Sequence, residues 1–265
     1  MCVHAHPDDE AISTGGVLAK YAREGIRTVL VTCTDGELGD APGGVKPGEP
    51  GHSFAEVVAL RRVELEESCR ALGVAHLELL GYQDSGMMGW ATNDTPKAFW
   101  HADVAAAGAR LAALIERYRP QVVVTYDEHG FYGHPDHIQA HRITMDAFER
   151  TGIPEKLYYP AVPESAIPRM AALLAERGVE VPGQIADAPF GTPDDQIGAV
   201  VNCAEVAGAK FESLEAHASQ AENIFFLSFG PELFAELFAE EAFVRARDRS
   251  GASGRESDLF AGLRG

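Results

Sequence analysis

The chain has 265 residues, enough for one large α/β domain, and its 46% hydrophobic and 23% charged residues are those of a soluble globular protein. Forty acidic residues against 22 basic ones give a formal net charge of -18. That balance argues against nucleic acid or an anionic membrane as partner, because phosphate surfaces demand clustered lysine and arginine, and it favours a neutral or cationic small substrate.

Cys2, Cys33, Cys69 and Cys203 are widely spaced with no CxxC, a pattern of core thiols rather than of a disulfide scaffold or a thiolate zinc site. The opening MCVHAHPDDE becomes charged too early to hold the apolar stretch of a signal peptide, and no apolar run is long enough to span a bilayer. A cytoplasmic protein is expected.

In chain order, Val3 to Ala5 is a short apolar start, with only Met1 to Val3 ahead of the first histidine, so either the first strand is short or the start codon is assigned late. GGVLAKYAREG has helical spacing and closes at Gly25, and TVLVTC at 28–33 reads as a strand. SFAEVVALRRVELEESCRALG is a helix ending at Gly73, followed by the strand HLELLG. DVAAAGARLAALIERYRP is a helix stopped by Pro120, followed by the apolar strand QVVVTY at 121–126. Strands alternating with helices predict a parallel sheet covered on both faces.

Beyond Tyr159 the pattern predicts a helix over 163–178, a strand IGAVVNC at 197–203, and between them VPGQIADAPFGTPDD as an inserted loop or small lobe within about 160–196. AEVAGAKFESLEAHASQ is a further helix. PELFAELFAEEAFVRAR reads as an amphipathic helix whose Phe and Leu stripe is packing, and residues 249–265 read as a flexible tail. The expectation is a single domain over 1–265, α/β and Rossmann-like, with a mostly parallel sheet and a C-terminal insertion or small lobe.

Two stretches stand out for chemistry. His4, His6, Asp8, Asp9 and Glu10 lie within seven residues, and His129, His134, Asp136, His137 and His141 within thirteen. His-Pro-Asp by itself is an ordinary turn or helix start, with His134 as N-cap, Pro135 at the first helical position and Asp136 in the first turn. The paired histidines are less well explained that way, since imidazole and carboxylate together form the ligand set of a catalytic Zn²⁺. Each cluster follows a predicted strand, and ligands of open α/β sheets bind outside the carboxyl ends of the strands, so the two loops are expected to converge on one site.

With HAHPDDE after a first strand and YDEHGFYGHPDH after a later one, the chain resembles the PIG-L/LmbE superfamily of zinc-dependent N-deacetylases. The likeness extends through TDGELGD, LRRVEL ahead of ALGV, DSGM at 84–87 and AHASQ at 216–220, roughly residues 1 to 220. It is nearest the actinobacterial mycothiol branch, the deacetylase and the S-conjugate amidase.

The resemblance implies that His6, Asp9 and His137 bind one Zn²⁺ per chain, with Fe²⁺ or Co²⁺ as alternatives in such an N/O site. It implies that Asp8 is the general base toward a zinc-activated water. His134 would stabilise the carbonyl oxygen, Asp136 would hold that imidazole charged and oriented, and Tyr132 would bond the same oxygen. Arg61, Asp84 and Met87 match substrate-binding positions. His4 is expected to be packed, His129 and His141 to be loop and helix-surface residues, and Glu10 and Glu37 to support the site or merely start a helix and shape a loop. Lys210, His217 and Gln220 match a stretch without a stated role.

The activity implied is removal of an acetyl or other acyl group from an N-acetylglucosamine-type sugar or glycoconjugate. Amidase action on a mycothiol S-conjugate, or deacylation of a secondary-metabolite amino sugar, are the rivals within the same chemistry. A small sugar amide is the expected partner, and a homo-oligomer is compatible with the sequence. A ligand-binding module without turnover would not need Asp8 beside the ligands, and a nucleotide-binding Rossmann protein would need a GxGxxG that HPDDEAISTGG lacks.

Overall fold

The computed structural model describes residues 1–179 and 191–264. The first strand is short: β1 (Cys2–His4) is followed by α1 (Asp9–Ser13), α2 (Gly15–Arg23), β2 (Val29–Thr34), α3 (Phe54–Leu72) and β3 (His76–Tyr82). Next come α4 (Val104–Tyr118), β4 (Val122–Val124), the single turn α5 (Gly130–Gly133), α6 (Pro135–Thr151) and β5 (Lys156–Ala161). The C-terminal part adds α7 (Ala166–Glu176), β6 (Ile197–Asn202), α8 (Ala207–Ala216), α9 (Ala221–Leu227), α10 (Gly230–Leu237) and β7 (Glu240–Asp248).

Helix ends lie where local chemistry puts them. Gly73 closes α3 at a φ of 68°, Asp103 caps α4 by accepting from the Ala106 N–H at 2.8 Å, and α6 starts on His134 with Pro135 in its first turn. Among the described residues no helix is long and apolar enough to cross a membrane.

The strands form one sheet in the order β3-β2-β1-β4-β5-β7-β6, with β1 to β5 parallel. Successive side chains alternate between two cores: Val3, Val31 and Val123 pack with α4 and α6, while Cys2, Leu30 and Val124 face α2 and α3. The chain runs outward from β1 through β2 to β3, then returns to place β4 on the other side of β1. The loops leaving β1 and β4 therefore lie side by side at the point where strand order reverses, the usual crevice of such sheets.

Three expectations need correction. The 231–247 run is not one helix: it breaks after Leu237 and re-enters the sheet as β7, antiparallel to both β5 and β6. Its apolar spacing suits a helix, but the gap between β5 and β6 requires a strand, and Phe243 is fully buried there. The edge of the sheet is thus antiparallel. Residues 249–264, expected as a flexible tail, pack onto that edge, where Glu256 pairs with Ala199 and accepts from the buried Lys156 Nζ at 2.6 Å, and Leu259 is buried. The insertion contributes α7 within the helix expected over 163–178, and its residues 180–190 lie outside the described residues.

Candidate metal and catalytic site

His6, Asp8 and Asp9 leave the end of β1, Asp84 and Ser85 follow β3, and His134, Asp136 and His137 start α6 after β4. These three loops converge. Asp9 lies between two imidazoles, with Oδ2 at 3.4 Å from His6 Nδ1 and Oδ1 at 3.4 Å from His137 Nε2. The His6 backbone N–H also donates to Asp9 Oδ2 at 2.8 Å. On its other side, His6 Nε2 meets Asp136 at 3.3 Å and Asp84 at 3.6 Å. Burial works against a charged His6, and Asp84, Asp136 and Asp9 outweigh it, holding it well above the ordinary imidazole range. Asp9 is correspondingly held well below the usual carboxylate range, since His137 and His6 overcome its burial.

The donor set fits a divalent cation. Nitrogen and oxygen atoms of His6, His134 and His137, and of His6, Asp84, His134 and Asp136, lie within 4.8 Å of one another. His137 Nδ1 lies 3.2 Å from the Gly130 carbonyl, which can only accept, so Nδ1 carries a proton and Nε2 is the ring nitrogen that faces Asp9 and the site. That Nε2 is buried without a hydrogen-bond partner, and the ring is fixed by stacking on Tyr126 at 4.0 Å between centroids. His134 is in the opposite tautomer. Its Nδ1 accepts the Asp136 backbone N–H at 3.1 Å, so the neutral ring carries its proton on Nε2 as a donor. Burial, with His6 and His137 beside it, pulls His134 down to about 2, so it is neutral at ordinary pH.

Here the structure departs from the resemblance. The Asp136 carboxylate lies within 4.8 Å of a His134 ring nitrogen but makes no hydrogen bond to it; it accepts from the Ser85 backbone N–H at 2.8 Å and from the Ser85 hydroxyl, and meets His6. The hydrogen bond of Asp136 with His134 is through the backbone, as a helix cap.

Asp8 turns away from Asp9. Its φ of 119° is rare for a residue with a Cβ, costs about 1–3 kcal/mol, and makes the two neighbouring carboxylates diverge. Arg61 on α3 meets Asp8 Oδ2 at 2.9 Å and also donates to the Pro7 carbonyl and, at 3.0 Å, to that of Gly36. Arg61 is only 4% exposed, so its guanidinium is taken up largely by the chain rather than by open solvent. Burial pushes the Asp8 carboxyl up to about 6, with Arg61 opposing and Asp9 reinforcing. Tyr132, 47% exposed, stands at the rim with its ring edge-on to His137 at 4.9 Å. Met87 is exposed, on the loop whose Asp84 lies inside.

Sequence reasoning missed two supports. Ser85 and Tyr126 sit inside the quoted DSGM and QVVVTY, but only the fold shows that they hold Asp136 and His137. Glu10 pairs with His217 at 2.7 Å, Lys210 with Glu241 at 2.7 Å, and Gln220 holds the Asp40 backbone through hydrogen bonds of 3.0 and 3.3 Å. His4 is packed as expected, between Thr14 at 2.8 Å and Tyr126 at 3.2 Å. His129 and His141 line a separate cleft with Asp127 and Tyr159.

Comparison with known proteins identifies the family. Residues 1–148, which include His6, Asp8, Asp9, Arg61, Asp84, Tyr132, His134, Asp136 and His137, match the GlcNAc-PI de-N-acetylase (PIG-L) family. The chain belongs to that family. A 1D-myo-inositol 2-acetamido-2-deoxy-alpha-D-glucopyranoside deacetylase of Thermomonospora curvata is 42% identical, over 100% of this chain and 97% of its own length. The enzyme of the same name from Thermobifida fusca is 43% identical, over 98% of each.

Solved structures share the PIG-L fold at lower identity. N,N'-diacetylchitobiose deacetylase of Pyrococcus horikoshii superimposes with a TM-score of 0.60 at 20% identity, over 93% of this chain and 82% of its own. The hydratase GalB of Pseudomonas putida gives 0.62 at 19%, over 96% and 98%. A hydratase on the same scaffold means that the reaction must be argued from side chains.

Proposed function

We propose that this PIG-L protein is a zinc-dependent N-deacetylase that hydrolyses the acetamide of an N-acetylglucosamine-type glycoside, with the inositol glycoside named for its relatives as the first substrate to try. The observation that carries the reading is the division between adjacent carboxylates. Asp9 lies between two imidazoles, whereas Asp8 is turned by its positive φ onto Arg61. A site that only bound a metal or a sugar would not require that second, diverging carboxylate.

His6, Asp9 and His137 would hold the cation. His134 is set aside as a ligand because its Nδ1 lone pair is used by the Asp136 N–H and its Nε2 is protonated. A divalent ion bound there supplies Lewis acidity, acidifying a water and polarising the amide carbonyl.

The chain's own groups do the rest. Arg61 holds Asp8 Oδ2, so Oδ1 takes a proton from the attacking water. The His134 Nε2–H and the Tyr132 hydroxyl donate to the carbonyl oxygen as negative charge develops on it. When the C–N bond breaks, the proton held by Asp8 passes to the leaving nitrogen, giving the amine and acetic acid, whose remaining proton ionises to leave acetate and an ammonium group at neutral pH. Ser85, through Asp136, keeps His6 Nε2 engaged so that Nδ1 faces Asp9. Asp84 and Met87 would form the wall of the sugar pocket, and Arg61 its floor beside Asp8.

The test is metal content of the purified protein together with amine release from three compounds: the inositol glycoside, free N-acetylglucosamine and a mycothiol S-conjugate. About one zinc per chain with release from the glycoside is the expected result. Release only from the thiol conjugate would move the protein to the amidase branch. A protein that takes up no metal even on reconstitution would overturn the reading.

A further inference from the structure

We propose that the buried pair Glu10–His217 is a positioning device for Asp8, acting through the Asp8 backbone N–H. The inference rests on the reading of Asp8 as the general base. Glu10 uses both oxygens: Oε2 accepts the Asp8 N–H at 3.0 Å, and Oε1 accepts His217 Nε2–H at 2.7 Å and the Ser68 hydroxyl. Ser213 stands behind Ser68 at 3.1 Å between hydroxyls. All four side chains are fully buried.

The arrangement matters because Asp8 sits at a φ that an aspartate does not keep unaided. Besides the Ala11 N–H on its carbonyl at 3.0 Å, two side chains hold it there, Arg61 on its carboxylate and Glu10 on its amide. Glu10 follows Asp8 by two residues, so its own chain does not fix the carboxylate's direction; that comes from α3 through Ser68 and from the C-terminal end of α8 through His217. Remove His217, and a carboxylate in a dry interior retains Ser68 as its one side-chain donor. It reorients, the Asp8 amide loses its acceptor, and the strained φ relaxes, carrying the base off the line of attack. Asp9 is anchored separately by the His6 N–H, so the metal ligands stay in place.

A second pair on α8 supplies the comparison. Lys210–Glu241 has the same 2.7 Å separation and is also buried, and Glu241 accepts the N–H groups of Gly16 and Val17 at 2.7 and 2.9 Å. It ties α8 and β7 to the start of α2 and makes no hydrogen bond to the HPDDE loop. If buried pairs on α8 serve only to hold the helix, the two behave alike.

His217→Leu is expected to lower kcat by about 10- to 100-fold, the size of effect that follows from misplacing a reacting group by about 1 Å. KM should stay within about threefold, since ground-state binding is untouched, and metal content should be unchanged. His217→Gln, which restores an N–H donor toward Glu10, is expected to recover most of the turnover. Lys210→Gln should lower the thermal midpoint and leave kcat as it was.

Amide hydrogen exchange at Asp8, followed by NMR, reads the same device without substrate: protection is lost in His217→Leu and kept in Lys210→Gln. Retained Asp8 protection, unchanged kcat, loss of metal in His217→Leu, or an equal fall of kcat in Lys210→Gln would each overturn the proposal. A wild-type protein that releases amine from no compound tells against the deacetylase reading, and the exchange measurement still decides the role of the pair.

Discussion

The loops leaving β1, β3 and β4 keep polar groups in states that folding alone would avoid: a buried imidazole nitrogen without a partner at His137, a positive φ at Asp8, and a carboxyl raised to about 6 beside an arginine. Strands β5 and β7 and the segment after β7 also bury polar groups, Lys156, Glu241 and Glu256 among them, but give them ion-pair partners. Lys156, fully buried, donates to Glu256 and to the Ala261 carbonyl, both at 2.6 Å, while Tyr158 and Arg245 also meet Glu256. One sheet thus holds a half under functional strain and a half whose ion pairs close the C-terminal edge. The family match ends at residue 148, close to where the first half ends. The difference teaches that neither buried charge nor an unpartnered buried atom alone marks a site, since Arg245 Nη1 and Asp248 Oδ2 on β7 also lack a hydrogen-bond partner and meet only ion-pair partners; what marks it is that a positive φ, a raised carboxyl and clustered imidazoles coincide in one crevice.

That contrast is broken or sharpened first at the metal ligands. His137→Ala should lose both bound metal and amine release, the largest effect expected, read by metal analysis and turnover on one preparation. Asp8→Asn should keep the metal and lower kcat by about 10²- to 10⁴-fold, the range of a general acid–base group. Equal metal loss in the two variants would contradict the roles given to Asp8 and Asp9. Ser85→Ala removes one of the two hydrogen bonds that Ser85 gives Asp136 and should cost about 10- to 100-fold in metal affinity or turnover, as loss of a ligand's supporting partner does. A competition titration against a chelator separates the two, and wild-type values in both would mean that the Ser85 backbone N–H suffices.

Much of the first half was legible because several signals agreed there. Strand runs such as VVVTY are bounded by helices that stop at Gly73 or before Pro120, and the histidines and aspartates declare their chemistry by type and density. Ser85 and Tyr126 are ordinary residues whose roles exist only through contact, and Glu10, expected either to support the site or merely to start a helix, shows its partners only in the fold. Ser85 reaches Asp136 across 51 positions, and Glu10 reaches His217 across 207. The Asp136 carboxylate was likewise expected on His134, two residues away, and finds Ser85 and His6 instead.

The C-terminal half hid its architecture for a different reason. ELFAELFAEEAFVRAR keeps helical spacing to its end, and the strand within it is imposed by the open edges of β5 and β6, which no local propensity encodes. The last residues, polar and rich in glycine, look like a tail until Glu256 finds Lys156.

The smallest effect on turnover belongs to that edge. Lys156→Met leaves Glu256 buried with Tyr158 and Arg245 as its remaining partners, so about 3 kcal/mol of stability should be lost, the lower end for breaking a buried pair, seen as a lower urea midpoint. Turnover per folded molecule should not change, because the pair touches none of the loops at the β1–β4 crevice. A fall in kcat alongside the midpoint would show that the closing edge also tunes the site, and the separation between the two halves of the sheet would have to be given up.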